Sequence, residues 1–169
     1  SEVGDGVKAA IEGGAVARDD VWVTSKLWND AHRPEHVEEA CRDSLDKLGL
    51  ERLDLYLIHW PVAHVRGKVM PKGRADFLTL DEVPLSEAWS AMEALVDAGL
   101  VGSIGVSNLD AKRLRALCEG ARIRPAVNQV EAHPYLQQRA LLDAANELGV
   151  ALTAYSPLGS NDRAAQMKA

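Results

Sequence analysis

The 169 residues carry 19 Lys and Arg against 25 Asp and Glu, a formal charge of −6, which argues against a surface built for nucleic acid or an anionic membrane. No stretch approaches the roughly 20 apolar residues that cross a bilayer, and the first ten residues lack a hydrophobic signal core. Length suits one domain with one sizeable core, and Cys41 and Cys118, each inside a helical pattern with no Asn-x-Ser/Thr acceptor anywhere, predict reduced packing thiols in a cytoplasmic protein.

The chain opens at Ser1, without a methionine, inside a helical pattern of Val3, Val7, Ala10 and Ile11, so further sequence is expected upstream. Gly13-Gly14 breaks that helix, Arg18-Asp19-Asp20 forms a polar turn, and Val21 to Ser25 reads as a strand ending at Lys26. A second helix is marked by Pro34 in its first turn, by one face of Val37, Ala40, Cys41, Ser44, Leu45 and Leu48, and by Gly49 as its stop. The apolar run Leu53 to Ile58 is a buried strand. Pro61 lacks the N–H that a ladder needs, so pairing stops there and His59 sits at the strand's carboxyl end.

Residues 60–84 form a long irregular segment with Arg66, Lys68, Lys72 and Arg74 among glycines and prolines, read as a wall on the substrate side or as a solvated surface loop. A third helix buries Ala88, Trp89, Met92, Leu95 and Val96 and stops at Gly99. Next comes a strand over 102–106 that ends at Ser107-Asn108, and a helix that Asp110 caps. A strand over 126–130 ends near Glu131 and His133, a helix presents Leu141, Leu142, Ala145 and Leu148, and a strand over 150–154 ends at Tyr155. Residues 160–169 are a polar tail.

Strands alternate with helices, and the last three strands start 24 residues apart, at 102, 126 and 150. That rhythm predicts a parallel α/β sheet, either doubly wound or a (β/α)8 TIM barrel. A doubly wound dinucleotide fold carries G-x-G-x-x-G after its first strand, and none is present, which favours the barrel. A whole barrel needs about 250 residues, so about five of eight βα units are expected, with an unpaired edge on each side.

The five strand tips carry Lys26, His59, Ser107-Asn108, Gln129 and Tyr155. Each has an ordinary explanation alone: a lysine snorkelling from a strand end, amides bridging backbone, a tyrosine packing its ring with the hydroxyl wet. Five at equivalent positions predict a site, because ligands bind at the carboxyl ends of parallel strands. His32 and His36 have a spacing that could bind metal on a helix, but Pro34 between them marks a helix start, and no metal site is expected there.

These tips carry a family resemblance. Thr24-Ser25-Lys26-Leu27-Trp28, Leu57-Ile58-His59-Trp60-Pro61, Gly105-Val106-Ser107-Asn108, Asn128-Gln129-Val130-Glu131 with His133-Pro134, and Tyr155-Ser156-Pro157-Leu158-Gly159 resemble, in order, the aldo-keto reductases. The resemblance implies a (β/α)8 barrel that binds NADP(H), or NAD(H), and reduces a small aldehyde or ketone by hydride transfer. It implies that Lys26 depresses the pKa of a proton-donating tyrosine and that His59 orients the carbonyl. It further implies that Ser107, Asn108 and Gln129 hold the nicotinamide carboxamide and that Tyr155 stacks on its ring. Ser156, Leu158 and Ser160 are expected at the pyrophosphate, Asp162 in a loop over the cofactor, and Trp28 and Trp60 in the substrate pocket.

The family's aspartate and tyrosine would lie upstream of Ser1. Tyr56 cannot stand in for that tyrosine, since strand alternation points it away from Leu57 and His59. Three readings follow: a reductase, a non-catalytic nicotinamide-binding regulatory or scaffold subunit of the same fold, or a chain without function on its own.

Overall fold

The computed structural model describes residues 1–159. In chain order the strands are β1 (Thr24–Leu27), β2 (Leu53–Ile58), β3 (Ala63–His64), β4 (Phe77–Leu78), β5 (Val101–Ser107), β6 (Val127–Glu131) and β7 (Ala151–Tyr155). The helices are α1 (Glu2–Glu12), α2 (Pro34–Leu48), α3 (Leu85–Asp97), α4 (Ala111–Gly120) and α5 (Arg139–Leu148). Five strands form one all-parallel sheet in the order β1-β2-β5-β6-β7. Each of the first four is followed by a helix, the repeating unit of a (β/α)8 barrel. None of the described helices is long and apolar enough to cross a membrane.

Register explains which face is which. Leu27, Ile58, Val106, Asn128 and Leu152 form one row across the five strands, and its apolar members pack in the core with Val37, Cys41, Trp89, Met92 and Leu114 of the helices. Burying each such side chain contributes about 1.5–3 kcal/mol. Asn128 is the polar member, fully buried, and its amide donates to Leu109 O at 3.0 Å and accepts from Leu109 N at 3.4 Å, fixing the start of the β5–α4 connection. The next row, Lys26, Leu57 and Gly105, faces away from the helices. A Cβ on Gly105 would lie 2.5 Å from Val127 O and 2.7 Å from Leu57 Cδ2, so only glycine lets these strands close beneath the Leu57 side chain.

Helix ends follow the expected chemistry. Pro34 opens α2, Gly49 closes it at φ 69°, and the Asp110 carboxylate accepts from Arg113 N. Trp89 and Met92 are buried, with Trp89 Nε1 donating to Ile123 O at 3.0 Å.

Four details differ from the sequence reading. β1 starts at Thr24 rather than Val21, because the Asp54 carboxylate, held by Arg18 at 3.0 Å, accepts the Val23 N–H at 2.7 Å and takes that donor out of the ladder. Residues 60–84 are less irregular than expected, since β3 and β4 pair antiparallel there. Leu142 is exposed although the periodicity of α5 placed it on the inner face. In α1, Gly4 is the buried residue and Val3 is exposed, because the helix docks on α2 through close backbone approach rather than an apolar stripe.

Candidate active site

The carboxyl ends of the strands bring most of the expected residues to one rim. Lys26 lies in the row facing away from the helices, and by alternation His59, Ser107, Gln129 and Tyr155 share that face. His59 continues β2, its N–H donating to Leu27 O at 3.1 Å.

Asn108 ties the rim together. It sits just past β5 at φ 62°, a left-handed conformation that Asn tolerates better than most residues. The turn sends its side chain back across the strand tips, where Nδ2 donates to His59 O at 2.9 Å and to Ser107 Oγ at 3.0 Å. Tyr155 OH donates to Asn108 Oδ1 at 2.9 Å, Ser107 Oγ to Gln129 O at 2.7 Å, and Asn108 N to Gln129 O at 2.9 Å. The Asn108 side chain and backbone, with Ser107 Oγ, thereby join the ends of four strands. By contrast, the side-chain amide of Gln129 and the ammonium of Lys26 make no hydrogen bond or ion pair among the described residues, which leaves both able to receive a ligand.

Beside this network, His59 stands between two indoles. Trp28 meets it edge-on with ring centroids 4.8 Å apart, and Trp60 lies nearly parallel, 12° off plane at 6.2 Å. Burial among these rings, and then the nearby Lys26 charge, hold the His59 pKa below its ordinary value, so the imidazole is neutral at pH 7. Trp28 Nε1 donates to Val69 O at 2.9 Å, which anchors that indole to the long loop. A cleft of about 530 Å³ runs past Trp60, Asn108, Glu131, Gln138 and Tyr155, and a second of about 510 Å³ reaches Lys26, Trp28 and Arg66.

Not every expected residue joins the rim. Ser156 follows β7 at φ 47°, and Leu158 is 97% exposed beyond it. Ser160 and Asp162 lie outside the described residues. Tyr56 is wholly buried on the helix side, and burial drives its phenol pKa far up, so it is no proton donor. His32 and His36 diverge, His32 being buried ahead of α2 while His36 lies 3.9 Å from Glu39 on the helix. Among the described residues no group of three His, Cys, Asp or Glu could hold a metal.

The sequence reading passed over two buried polar residues at this end of the sheet, Asn29 and His64, whose side chains meet at 3.3 Å. Being 35 residues apart, they leave no local pattern; the one available signal was the place of Asn29, two residues past the end of β1.

A parallel α/β sheet with a polar rim at its strand tips defines the class: a barrel of the kind that binds its ligand over the carboxyl ends of the strands. Residues 2–164 match the profile of the Aldo/keto reductase family. An aldo/keto reductase of Synechocystis sp. is 48% identical over 165 residues, covering 98% of this chain and 50% of that protein. Human aldo-keto reductase family 1 member A1 is 47% identical over 165 residues, covering 96% and 51%. Among solved structures, the aldose reductase of Giardia lamblia superposes with a TM-score of 0.89 at 42% identity, covering 94% of this chain and 53% of that one. The Bombyx mori aldo-keto reductase in complex with NADP gives 0.81 at 40%, covering 91% and 47%. The chain belongs to the aldo-keto reductase family, and it spans about half the length of the curated relatives it matches.

Proposed function

We propose that this chain is the cofactor-gripping portion of an NADP(H)-dependent reductase that converts small aldehydes or ketones to alcohols. The observation that carries the reading is the contrast within the rim: Asn108 locks four strand ends together while the side chains of Lys26 and Gln129 make no hydrogen bond or ion pair among the described residues. A nicotinamide carboxamide offers one acceptor and two donors, and the Gln129 amide offers the complement. The likeness to the NADP complex from Bombyx mori supports the choice of cofactor.

Each residue has a separate task. The bound nicotinamide supplies hydride. Gln129 fixes which ring face points at the substrate, with Ser107 and Asn108 holding the strand ends to which Gln129 belongs. The amide of Asn108 is committed within the rim, so its contact with the carboxamide exchanges the Tyr155 hydroxyl for the ligand, leaving the Tyr155 ring to stack. His59, neutral beside Lys26, donates to the carbonyl oxygen without competing for the proton. The ammonium of Lys26 favours the ionised form of a neighbouring phenol and so eases its proton transfer to the developing alkoxide. Trp28 and Trp60 exclude water around the carbonyl. Ser156, Leu158 and Ser160 are assigned to the pyrophosphate side, and Asp162 to a loop over the cofactor. Buried free thiols at Cys41 and Cys118 support a reducing, cytoplasmic setting.

The test follows NADPH absorbance with an aromatic aldehyde, using the polypeptide at full length. Turnover that vanishes in Lys26→Met upholds the reading. Absence of NADPH quenching or turnover in the unaltered protein overturns it.

A further inference from the structure

We propose that Asn29, His64 and the Lys68 carbonyl form a latch that fastens the long loop to the rim and thereby sets the position of the Trp28 indole, making His64 a positioning residue for the substrate wall. The inference rests on the reductase reading for its consequence, though not for its geometry.

Three hydrogen bonds join the turn after β1 to the loop after β2. Trp28 Nε1 donates to Val69 O at 2.9 Å, Gly67 N donates to Asp30 Oδ2 at 3.1 Å, and the Asn29 side chain meets His64 Nε2 at 3.3 Å. They come from three consecutive residues and land within six residues of loop. Two of them are at the surface. The Asn29–His64 bond lies between residues each 5% exposed, out of reach of competing water.

The chemistry fixes the imidazole tautomer. His64 Nδ1 lies 3.1 Å from Lys68 O, which can only accept, so Nδ1 carries the proton. Nε2 is left with its lone pair and accepts from Asn29 Nδ2. One ring thus bridges the buried turn to the loop backbone four residues ahead, with Phe77 of β4 edge-on at 5.0 Å to keep it from rotating. Among the described residues the Asn29 carbonyl oxygen finds no partner. There the amide is held by its one bond to His64, and losing that bond leaves the Asn29 side chain with no hydrogen bond to fix it.

The link to substrate runs through the neighbouring residue. Trp28 and Asn29 are adjacent, and Val69 follows Lys68 directly, so the latch and the Trp28–Val69 anchor share one turn and one stretch of loop. Trp28 in turn sits 4.8 Å from His59. A loose latch lets the Trp28 edge shift relative to the imidazole, which weakens binding of substrate without altering the groups that move protons.

That separation defines the experiment. In the full-length polypeptide, His64→Phe keeps ring volume and the contact with Phe77 but has neither donor nor acceptor. It should raise KM for an aromatic aldehyde about tenfold with kcat within about twofold, the signature of lost uniform binding. NADPH affinity, read by fluorescence quenching, should not change. His64→Gln retains an acceptor for Asn29 and a donor for Lys68 O, and should return KM to within about twofold of the starting value. Asp30→Ala removes the surface Gly67 anchor and leaves the Asn29–His64 bond in place, and should raise KM about threefold.

An unchanged KM in His64→Phe overturns the latch, as does Gln no better than Phe, or a loss shared equally by KM, kcat and NADPH affinity. If His64→Phe does not fold, Asp30→Ala decides, and an unchanged KM in it overturns the proposal. If the unaltered protein neither binds NADPH nor turns over, the reductase reading falls separately. Hydrogen exchange at the Gly67 and Lys68 amides then tests the latch: faster exchange in His64→Phe upholds it, and equal exchange overturns it.

Discussion

The two halves of the rim are built on opposite principles. At the tips of β5, β6 and β7, Ser107, Asn108, Gln129 and Tyr155 are stitched to one another and to the backbone by hydrogen bonds of 2.7–3.0 Å. At the tips of β1 and β2, Lys26 has no partner among the described residues, and the His59 ring is held by two indoles instead. A half that orients a ligand gains from rigidity, since each internal bond removes a way to misplace the reacting atom. A half that handles the proton must keep its groups uncommitted, because a lysine already paired or an imidazole already charged cannot respond to one that arrives. The holding half fixes its strand ends through Ser107, Asn108 and Tyr155 and leaves one side chain, the Gln129 amide, open among the described residues, whereas no hydrogen bond among them ties the reacting side chains of Lys26 and His59 in place.

The largest effect should come from emptying the reacting half. Lys26→Met keeps the side chain's length and removes its charge, so under the proposed mechanism the proton-donating phenol loses the cation that favours its ionised form. In the full-length polypeptide, kcat with an aromatic aldehyde should fall about 10³-fold, about 4 kcal/mol, while NADPH affinity, set by the other half, stays within a fewfold by fluorescence. A parallel loss of cofactor binding would mean that the two halves do not divide the work.

The second largest effect belongs to the same side of the molecule. His32, in the connection from β1 to α2, is buried with Nε2 unpartnered among the described residues, and burial, then the neighbouring His64, lower its pKa to about 4 from the ordinary 6.5, against a raising influence from Asp30. Between those two values the unfolded chain binds a proton that the folded chain refuses, so stability is complete above pH 6.5 and drains away as pH falls towards 4. The gap corresponds to about 3 kcal/mol. Urea unfolding between pH 7 and 4 should show that loss, and His32→Leu, which cannot titrate, should flatten the slope. A slope that persists in His32→Leu would assign the acid sensitivity to other groups.

Where the halves join, Gly105 lies between Leu57 of β2 and Val127 of β6. Gly105→Ala must push a methyl to 2.5 Å from Val127 O, closer than Cβ atoms come, so β5 and β6 have to part. A cost of about 2 kcal/mol is expected in chemical denaturation, with NADPH affinity falling more than it does in Lys26→Met, because Gln129 on β6 moves with the strand. A neutral substitution would show that the strands are not tightly closed here.

How much of this could be read from residues alone depended on range. The strand tips were legible because Pro61 ends a ladder, Asp110 caps a helix and Gly49 stops one, all decisions taken within a few residues. The start of β1 was not, since the carboxylate that takes Val23 N–H belongs to Asp54, on the neighbouring strand. The β3–β4 pair was hidden because two residues per strand show no alternation. At the site, the placement of Lys26 and His59 at strand tips could be read from the residues, whereas the commitment of Asn108 inside the rim had no local sign. Its three partners come from residues 59, 107 and 155, and only folding gathers them.

The smallest expected effect is the sharpest probe of the holding half. Tyr155→Phe removes the hydroxyl that donates to Asn108 Oδ1 and keeps the ring. Asn108 retains its bonds to His59 O and Ser107 Oγ, so the strand ends stay joined and losing the Tyr155–Asn108 bond should cost about 1 kcal/mol in urea unfolding. Because Oδ1 is now free to meet the carboxamide without first displacing a phenol, NADPH affinity should hold or rise slightly, by no more than about threefold. Tyr155→Ala, lacking the ring as well, should weaken NADPH at least about tenfold through lost stacking. Equal losses in Phe and Ala would place the contribution of Tyr155 in its hydroxyl, and the holding half would then work by hydrogen bonding to the ligand rather than by a platform fixed in advance.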